Sequence, residues 1–317
     1  MKNNQLDAVY SCLQHSEDIP TRQEVSSHSR DNPMNWSPTE SIRRFIRQSE
    51  DSFEEQKQAI ALCAHQVLRY RRNDGNTQSV CVKNPIVYGS PGAGKSYVGS
   101  LAVLYTLSQG LNILSTALMA LRSQALGGLH LHEIFKLPTS DDASIAPYAA
   151  ANEAIHKIER KTHLHHALLT VDVMFLDEAG QVSSGQLAII DIILCKTRGS
   201  QILFGGVLII CTMDQRQLQP INALPFLVSS FMLISFIAVE LTHSVRAHGY
   251  PKFKRLQDIT RMDPLVLRDS PDLEKEFKNI AKEILVFVPD WDDEAIGPNM
   301  MRAFSRRIPA QEALNKY

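Results

Sequence analysis

The sequence predicts an α/β fold: a mostly parallel sheet flanked by helices. Three observations carry this. Short apolar runs recur at Ile86–Tyr88, Asn112–Ala117, Val171–Leu176 and Gly206–Thr212, the length and composition of buried strands. Helical patterns lie between them, and a strand, loop, helix, strand order implies parallel strands joined by right-handed crossovers. Finally, two of the runs end in residues suited to phosphate and metal chemistry, Gly89 to Ser96 after the first and Asp177-Glu178 after the third.

The stretch Gly89-Ser90-Pro91-Gly92-Ala93-Gly94-Lys95-Ser96 has Gly at its first and sixth positions, then Lys and Ser, which is a P-loop between a strand and a helix. Such a backbone curls so that its N–H groups point inward at phosphate oxygens, and the helix N-terminus adds partial positive charge. Lys95 is expected to reach the β- and γ-phosphates of a nucleotide, and Ser96 to give its hydroxyl to Mg2+. The helix is expected over Val98–Leu107, with Gly110 near its end.

A carboxylate pair at the C-terminal end of a parallel strand sits where the crevice of an open α/β sheet lies. Asp177 is expected to hold Mg2+ through water, and Glu178 to orient or deprotonate an attacking water. The helix Ser184–Lys196 leads to the run ending at Thr212, and Gln217 in the polar tip beyond it is placed to sense the γ-phosphate. Val239–Thr242 reads as a fifth strand delivering Arg246. That arginine either neutralises charge on the transferring phosphate or is an exposed structural residue.

Upstream, Ser52 with Glu55 reads as a capping box. Ala59, Ile60, Cys63, Ala64, Val67 and Leu68 then form one face of a helix to about Arg72, ended by Asn73-Asp74-Gly75-Asn76. Gln56, in its first turn, either reads an adenine edge with its amide or is an ordinary exposed glutamine. Downstream of the second strand, the Gly-hinged segment Gly127 to Pro138 carries polar and aromatic tips. It either contacts a ligand strand or forms a surface loop.

At 317 residues and 44% hydrophobic content the chain can bury a large core, with about two domains expected from length. Thirty-three basic and 34 acidic residues leave a net charge of -1. This excludes a global basic field, so any nucleic-acid site must be a local groove. Five widely spaced cysteines without a C-x-x-C pair predict reduced thiols of an intracellular protein rather than disulfides or zinc. His156, His163, His165 and His166 lack Cys or carboxylate partners at ligand spacing. No apolar h-region opens the chain, so no secretory signal is expected. Residues 223–239 are uncharged for nearly the length of a membrane span, but Pro225, three serines and the missing basic flank favour a buried helix and strand, with no membrane partner. Residues 1–50 read as an irregular polar extension whose Arg43, Arg44 and Arg47 form a solvated helix face or touch phosphate.

Taken together these stretches resemble superfamily one helicases, specifically the RecD-related PIF (petite integration frequency) family of ATP-dependent 5'-to-3' DNA helicases. Phe53-Glu54-Glu55-Gln56 is similar to the family's adenine-reading motif, and Gly89 to Ser96 to its motif I. Asp177-Glu178-Ala179 is similar to motif II, Asp214-x-x-Gln217-Leu218 to motif III, and Leu241 to Arg246 to motif IV, whose Arg contacts the γ-phosphate. The segment Gly127 to Pro138 is similar to one that approaches single-stranded DNA, which implies that role for His132. Met213 stands where the family usually has Gly, and Gln219 where Pro is common.

The resemblance implies a RecA-like P-loop NTPase domain over residues 51–260 that uses ATP and Mg2+, translocates 5'-to-3' on single-stranded DNA, and serves DNA repair, recombination or telomere maintenance in the nucleus or mitochondrion. Residues 261–317 are then a linker and the start of a second RecA-like domain, with Ile284–Pro289 as its first strand. Motifs V and VI are absent from the 317 residues. A helicase motor closes two domains on ATP. The expectation is therefore a helicase motor domain completed by a longer product or a partner, the alternative being a truncated ATP-binding module without autonomous activity.

Overall fold

The computed structural model describes residues 46, 52–72, 82–125, 127–138, 146–217, 220, 223–245, 250–262, 266 and 269–284. The turn at 73–76, Arg246, Leu218, Gln219 and nearly all of the extension 1–50 lie outside these. The chain divides into two compact units, Met1–Gly249 and Tyr250–Tyr317.

The first unit is built on six parallel strands: β1 (Asn84–Gly89), β2 (Ile113–Ala117), β3 (Leu129–His130), β4 (Val173–Asp177), β5 (Leu208–Met213) and β6 (Phe236–Leu241), in the order β3-β2-β4-β5-β1-β6. Residues 173–176 and 208–211, in the two central strands, are apolar at every position because both faces are covered. Val87, Val173, Phe175, Leu208 and Ile210 pack into one core with the helices Glu54–Arg72 and Lys95–Ser108. The alternating residues Ile86, Met174, Leu176, Ile209 and Cys211 pack into a second core with Pro147–Glu159, Thr162–Thr170 and Ser184–Arg198. A period of two that is apolar in both phases is the mark of a doubly covered parallel sheet.

The helix Ser184–Arg198 opens on a capping box between Ser183 and Gln186 and closes at Gly199 in the left-handed conformation. The Ser52 hydroxyl, expected to open a capping box, lies 3.1 Å from the Tyr97 hydroxyl. Glu55, its intended partner, reaches instead to Thr242 and His243, and Gln56 Oε1 accepts from the Phe53 N–H at 3.2 Å. The helix expected from Val98 starts one turn earlier, at Lys95, directly out of the phosphate loop.

Two further expectations are corrected. Residues 223–239 are not a buried helix and strand. They form a 3-10 turn (Phe226–Val228), a six-residue helix (Ser230–Ser235) and the strand β6, paired only with β1 among the described residues. Phe226 is buried, but Leu233 is 91% exposed and Ile234 60%. A sheet edge covers a strand on one side only, so an apolar sequence there does not imply burial. Among the described residues no helix is long and apolar enough to cross a membrane. Likewise the Gly-hinged segment is not all loop: it makes β3 and the helix Leu131–Phe135, and Phe135, read as an aromatic tip, is fully buried with Leu131 and Ile134.

In the second unit the helices Pro251–Thr260 and Pro271–Ile284 are joined by Arg255, whose Nε and Nη2 each donate to the Glu276 carboxylate at 2.8 Å. Ile284 closes a helix rather than opening the expected strand, whose remaining residues 285–289 lie outside the described residues.

In the first unit, Arg198 closes the carboxyl end of the helix Thr162–Thr170. Its Nη1 donates to the carbonyls of Leu168 (3.1 Å), Leu169 (2.8 Å) and Val171 (2.9 Å), and its Nε to Gly205 (2.8 Å). A guanidinium there meets both the orphan carbonyls and the negative end of the helix dipole. Arg198→Ala is expected to cost about 2 kcal/mol of stability, read from the midpoint of urea unfolding.

Candidate functional site

Because all six strands run the same way, the loops that follow β1, β4 and β5 emerge at one edge of the sheet. The order β4-β5-β1 makes them neighbours, and the register pairs Leu176 with Cys211 and Tyr88 with Met213. The edge therefore gathers the P-loop, Asp177-Glu178 and the Asp214–Gln217 turn.

The P-loop is held from outside by its carbonyls. Lys95 Nζ donates to Gly89 O and Ser90 O, each at 3.0 Å. Ser244 Oγ donates to Pro91 O at 3.2 Å, the Val245 N–H to Gly92 O at 2.9 Å, and Gln56 Nε2 to Ala93 O at 3.1 Å. In a planar trans peptide the N–H opposes the C=O. Tying the carbonyls of Pro91 and Ala93 outward thus turns the N–H groups of Gly92 and Gly94 toward the concave side, the arrangement that receives an anion. Gly94 stands at φ 86°, and a Cβ on it would lie 2.2 Å from Gln56 Nε2. Gln56 is buried, not an exposed helical glutamine. Its Nε2 has a second N–H and its Oε1 a second lone pair beyond the bonds above, the pair an adenine edge requires.

Asp177, at the end of β4, is 4% exposed and its Oδ1 accepts from the Thr212 hydroxyl. The same hydroxyl oxygen accepts from the Glu178 N–H at 3.4 Å. Glu178 takes the left-handed backbone conformation (φ 55°), rare for a residue with a side chain, so the chain turns sharply straight after β4. Its Oε1 lies 3.7 Å from Arg122 Nη2, and its Oε2 is buried without a hydrogen-bond partner. Burial, then the neighbouring Asp177 charge, raises the Glu178 carboxyl above the usual carboxylate range, against the opposing pull of Arg122 and Lys95. Such a carboxylate holds a proton more readily than an exposed one, which suits a base. Ser96, in the first turn of its helix, and Asp177 are hard oxygen donors of the kind Mg2+ takes, so the pair fits that ion.

Gln217 is half-buried in the turn after β5, where its N–H donates to Asp214 O at 3.3 Å. Met213, the departure from Gly, is buried in the core. Arg246 lies outside the described residues, but the strap Thr242–Val245 that precedes it lies along the P-loop through the bonds of Ser244 and Val245. His132 stands elsewhere, on the helix that follows β3, four strands from β1. Its N–H donates to His130 Nδ1 at 3.2 Å, its Nδ1 lies 3.4 Å from Leu137 O, and the two imidazoles stack at 5.4 Å. Among the described residues no group of three or more His, Cys, Asp or Glu could hold a metal.

Three contributors were not named as site residues from the sequence. Thr212 was legible only as the end of a strand, since its pairing with Asp177 needs the register of β4 and β5. Arg122 carries no motif. Glu55 was assigned to a cap, yet its carboxylate accepts from the Thr242 N–H (2.8 Å) and hydroxyl, the His243 N–H (3.1 Å) and His243 Nδ1 (2.7 Å).

The fold and this edge define a P-loop nucleotide-binding protein with a RecA-like core. A family model described as PIF1-like helicase matches residues 55–246, more than half of the chain, and the chain belongs to that family. Its curated relative, the ATP-dependent DNA helicase Pif1 of Psychrobacter sp. (strain PRwf-1), is 23% identical over 141 residues, 44% of this chain and 20% of that protein. The match thus spans a fifth of that relative's length. Two solved structures share the fold. Pif1 helicase from Bacteroides in complex with ADP-AlF3 and ssDNA has a TM-score of 0.57 at 18% identity, over 83% of this chain and 56% of that one. Pif1 helicase from Candida albicans has a TM-score of 0.53 at 20% identity, over 69% and 46%.

Two outcomes are expected here. Partial burial pushes the Glu55 carboxyl up, but the bonds from Thr242 and His243 outweigh it and bring it from 4.5 down to about 2. A lowered folded pKa contributes stability that is full above the unfolded value and is lost as pH falls through the folded one. The stability difference between the unsubstituted chain and Glu55→Gln should be about 1 kcal/mol near neutral pH, after screening at this partly exposed site, and shrink as pH falls from 4.5 toward about 2 in urea titrations. Gly94→Ala should weaken binding of a fluorescent ATP analogue by roughly tenfold or more, because the new Cβ both strains the backbone and displaces Gln56.

Proposed function

We propose that this chain is the ATP-binding motor domain of a DNA helicase of the PIF type, hydrolysing ATP in response to single-stranded DNA. The observation that carries this reading is the convergence of the P-loop, Asp177-Thr212 and Glu178 at the ends of β1, β4 and β5, with Gln56 placed against the loop from the preceding helix.

In this reading the loop N–H groups receive the β- and γ-phosphates, and Lys95 exchanges its carbonyl partners Gly89 and Ser90 for phosphate oxygens. Ser96 and Asp177 would hold Mg2+, which neutralises charge on the phosphates when bound. Glu178 takes the proton of the attacking water at Oε2, the buried atom without a hydrogen-bond partner. Gln217 orients the γ-phosphate, and Arg246, delivered by the Thr242–Val245 strap, stabilises the charge that develops on it. His132 contributes to a local groove for the strand.

Translocation 5'-to-3' and a second RecA-like domain, in a longer product or a partner, follow from the family resemblance. The partial coverage of the solved Pif1 helicase chains supports the second domain. The same resemblance supports a nuclear or mitochondrial place in DNA repair, recombination or telomere maintenance.

The test is ATP turnover with and without oligo-dT. Stimulation by the strand is expected, with Lys95→Ala losing nucleotide binding and Glu178→Gln lowering turnover about a hundredfold while still binding Mg-ATP. Binding of Mg-ATP with no turnover in any condition would replace the motor reading with that of a non-hydrolysing ATP-binding module.

A further inference from the structure

Glu178 is the residue assigned the proton of the attacking water, and it faces a cation that no part of that chemistry uses. Arg122 Nη2 lies 3.7 Å from Glu178 Oε1, an ion pair too long for a good hydrogen bond. The Arg122 side chain is 46% exposed while that of Glu178 is 9% exposed, so one end of the pair is free to leave and the other is not. Arg122 belongs to the short helix Ala120–Ala125, which follows β2 and leads into β3 and the His130-His132 segment. β2 is the direct neighbour of β4, and Ala117 pairs with Asp177 in register. The guanidinium therefore lies beside the catalytic carboxylate, on the helix that links β2 to the segment assigned to the strand.

We infer that Arg122 is an exchangeable latch: it holds Glu178 when no strand is present and moves to a backbone phosphate when single-stranded DNA is bound, freeing the carboxylate to orient water. This deepens the strand-stimulated reading above and rests on it. The chemistry favours the exchange. A half-exposed ion pair at this distance is weak, whereas a phosphate offers a guanidinium two oxygens in a matching fork. Lys95 cannot serve the same purpose, because it is buried in the P-loop, where the nucleotide phosphates claim it. Arg122 acts on hydrolysis through Glu178, which makes it a positioning residue.

Reciprocity makes the idea testable without hydrolysis. If Glu178 and a phosphate compete for Arg122, removing the Glu178 charge must strengthen strand binding. The experiment measures fluorescence anisotropy of labelled oligo-dT against salt, without nucleotide, for the unsubstituted chain, Glu178→Gln, Arg122→Gln and the double variant. Glu178→Gln should bind roughly two- to fivefold tighter. Arg122→Gln should bind more weakly, with its salt slope reduced by about 0.7, as for one lost phosphate contact. The double variant should match Arg122→Gln, and Arg122→Lys should recover most of the slope. In ATP turnover, Arg122→Gln should narrow the ratio of strand-stimulated to strand-free rate. Unchanged affinity in Glu178→Gln, or a gain that persists in the double variant, would overturn the latch while leaving the strand-binding reading intact. No binding by any of the proteins would overturn both.

Discussion

A parallel sheet covered on both faces leaves only its ends for polar chemistry. Val173 to Leu176 and Leu208 to Cys211 are apolar in both phases because helices lie above and below them, and no charged group could be accommodated there without a buried partner. Since every strand points the same way, the carboxyl ends of β1, β4 and β5 open onto one edge. Asp177, Glu178 and Lys95 come together there although they are far apart in sequence. The buried sheet is thus the constraint from which the site follows.

The P-loop shows how such an edge is made specific. Curling a backbone to present N–H groups inward leaves its carbonyls facing out, and these need donors. Lys95, Ser244, Val245 and Gln56 supply them from the loop's own helix, from the strap after β6 and from the helix that precedes β1. The strap is itself tied back to Glu55, one residue from Gln56. Three separated pieces of chain therefore share one hydrogen-bonded arrangement around the P-loop, and the strap that precedes Arg246 is one of them.

The motifs were legible where spacing alone states the chemistry. Gly89, Gly94, Lys95 and Ser96 need only be adjacent in sequence to form a phosphate cradle, and Asp177-Glu178 needs only to end a strand. Side chains whose role depends on a distant partner were not legible. Glu55 satisfies the spacing of a capping box, yet Thr242 and His243 outcompete the local backbone for it. Arg198, to which the sequence reading gave no role, binds four carbonyls from two other segments. The uncharged run 223–239 reads as interior, but a sheet edge and a six-residue helix leave much of it in water.

By itself the amino-acid order determined the α/β class, the strands β1, β2, β4 and β5 and the identity of the phosphate-binding loop, because hydrophobic period and turn chemistry are local properties of the chain. Only the tertiary structure decided that Gln56 is buried against Ala93, that Thr212 holds Asp177 and that Arg122 faces Glu178. Each of these pairs joins residues more than 30 positions apart, and their meeting depends on strand order and register. Those are set by how whole faces pack, which no short stretch of sequence contains.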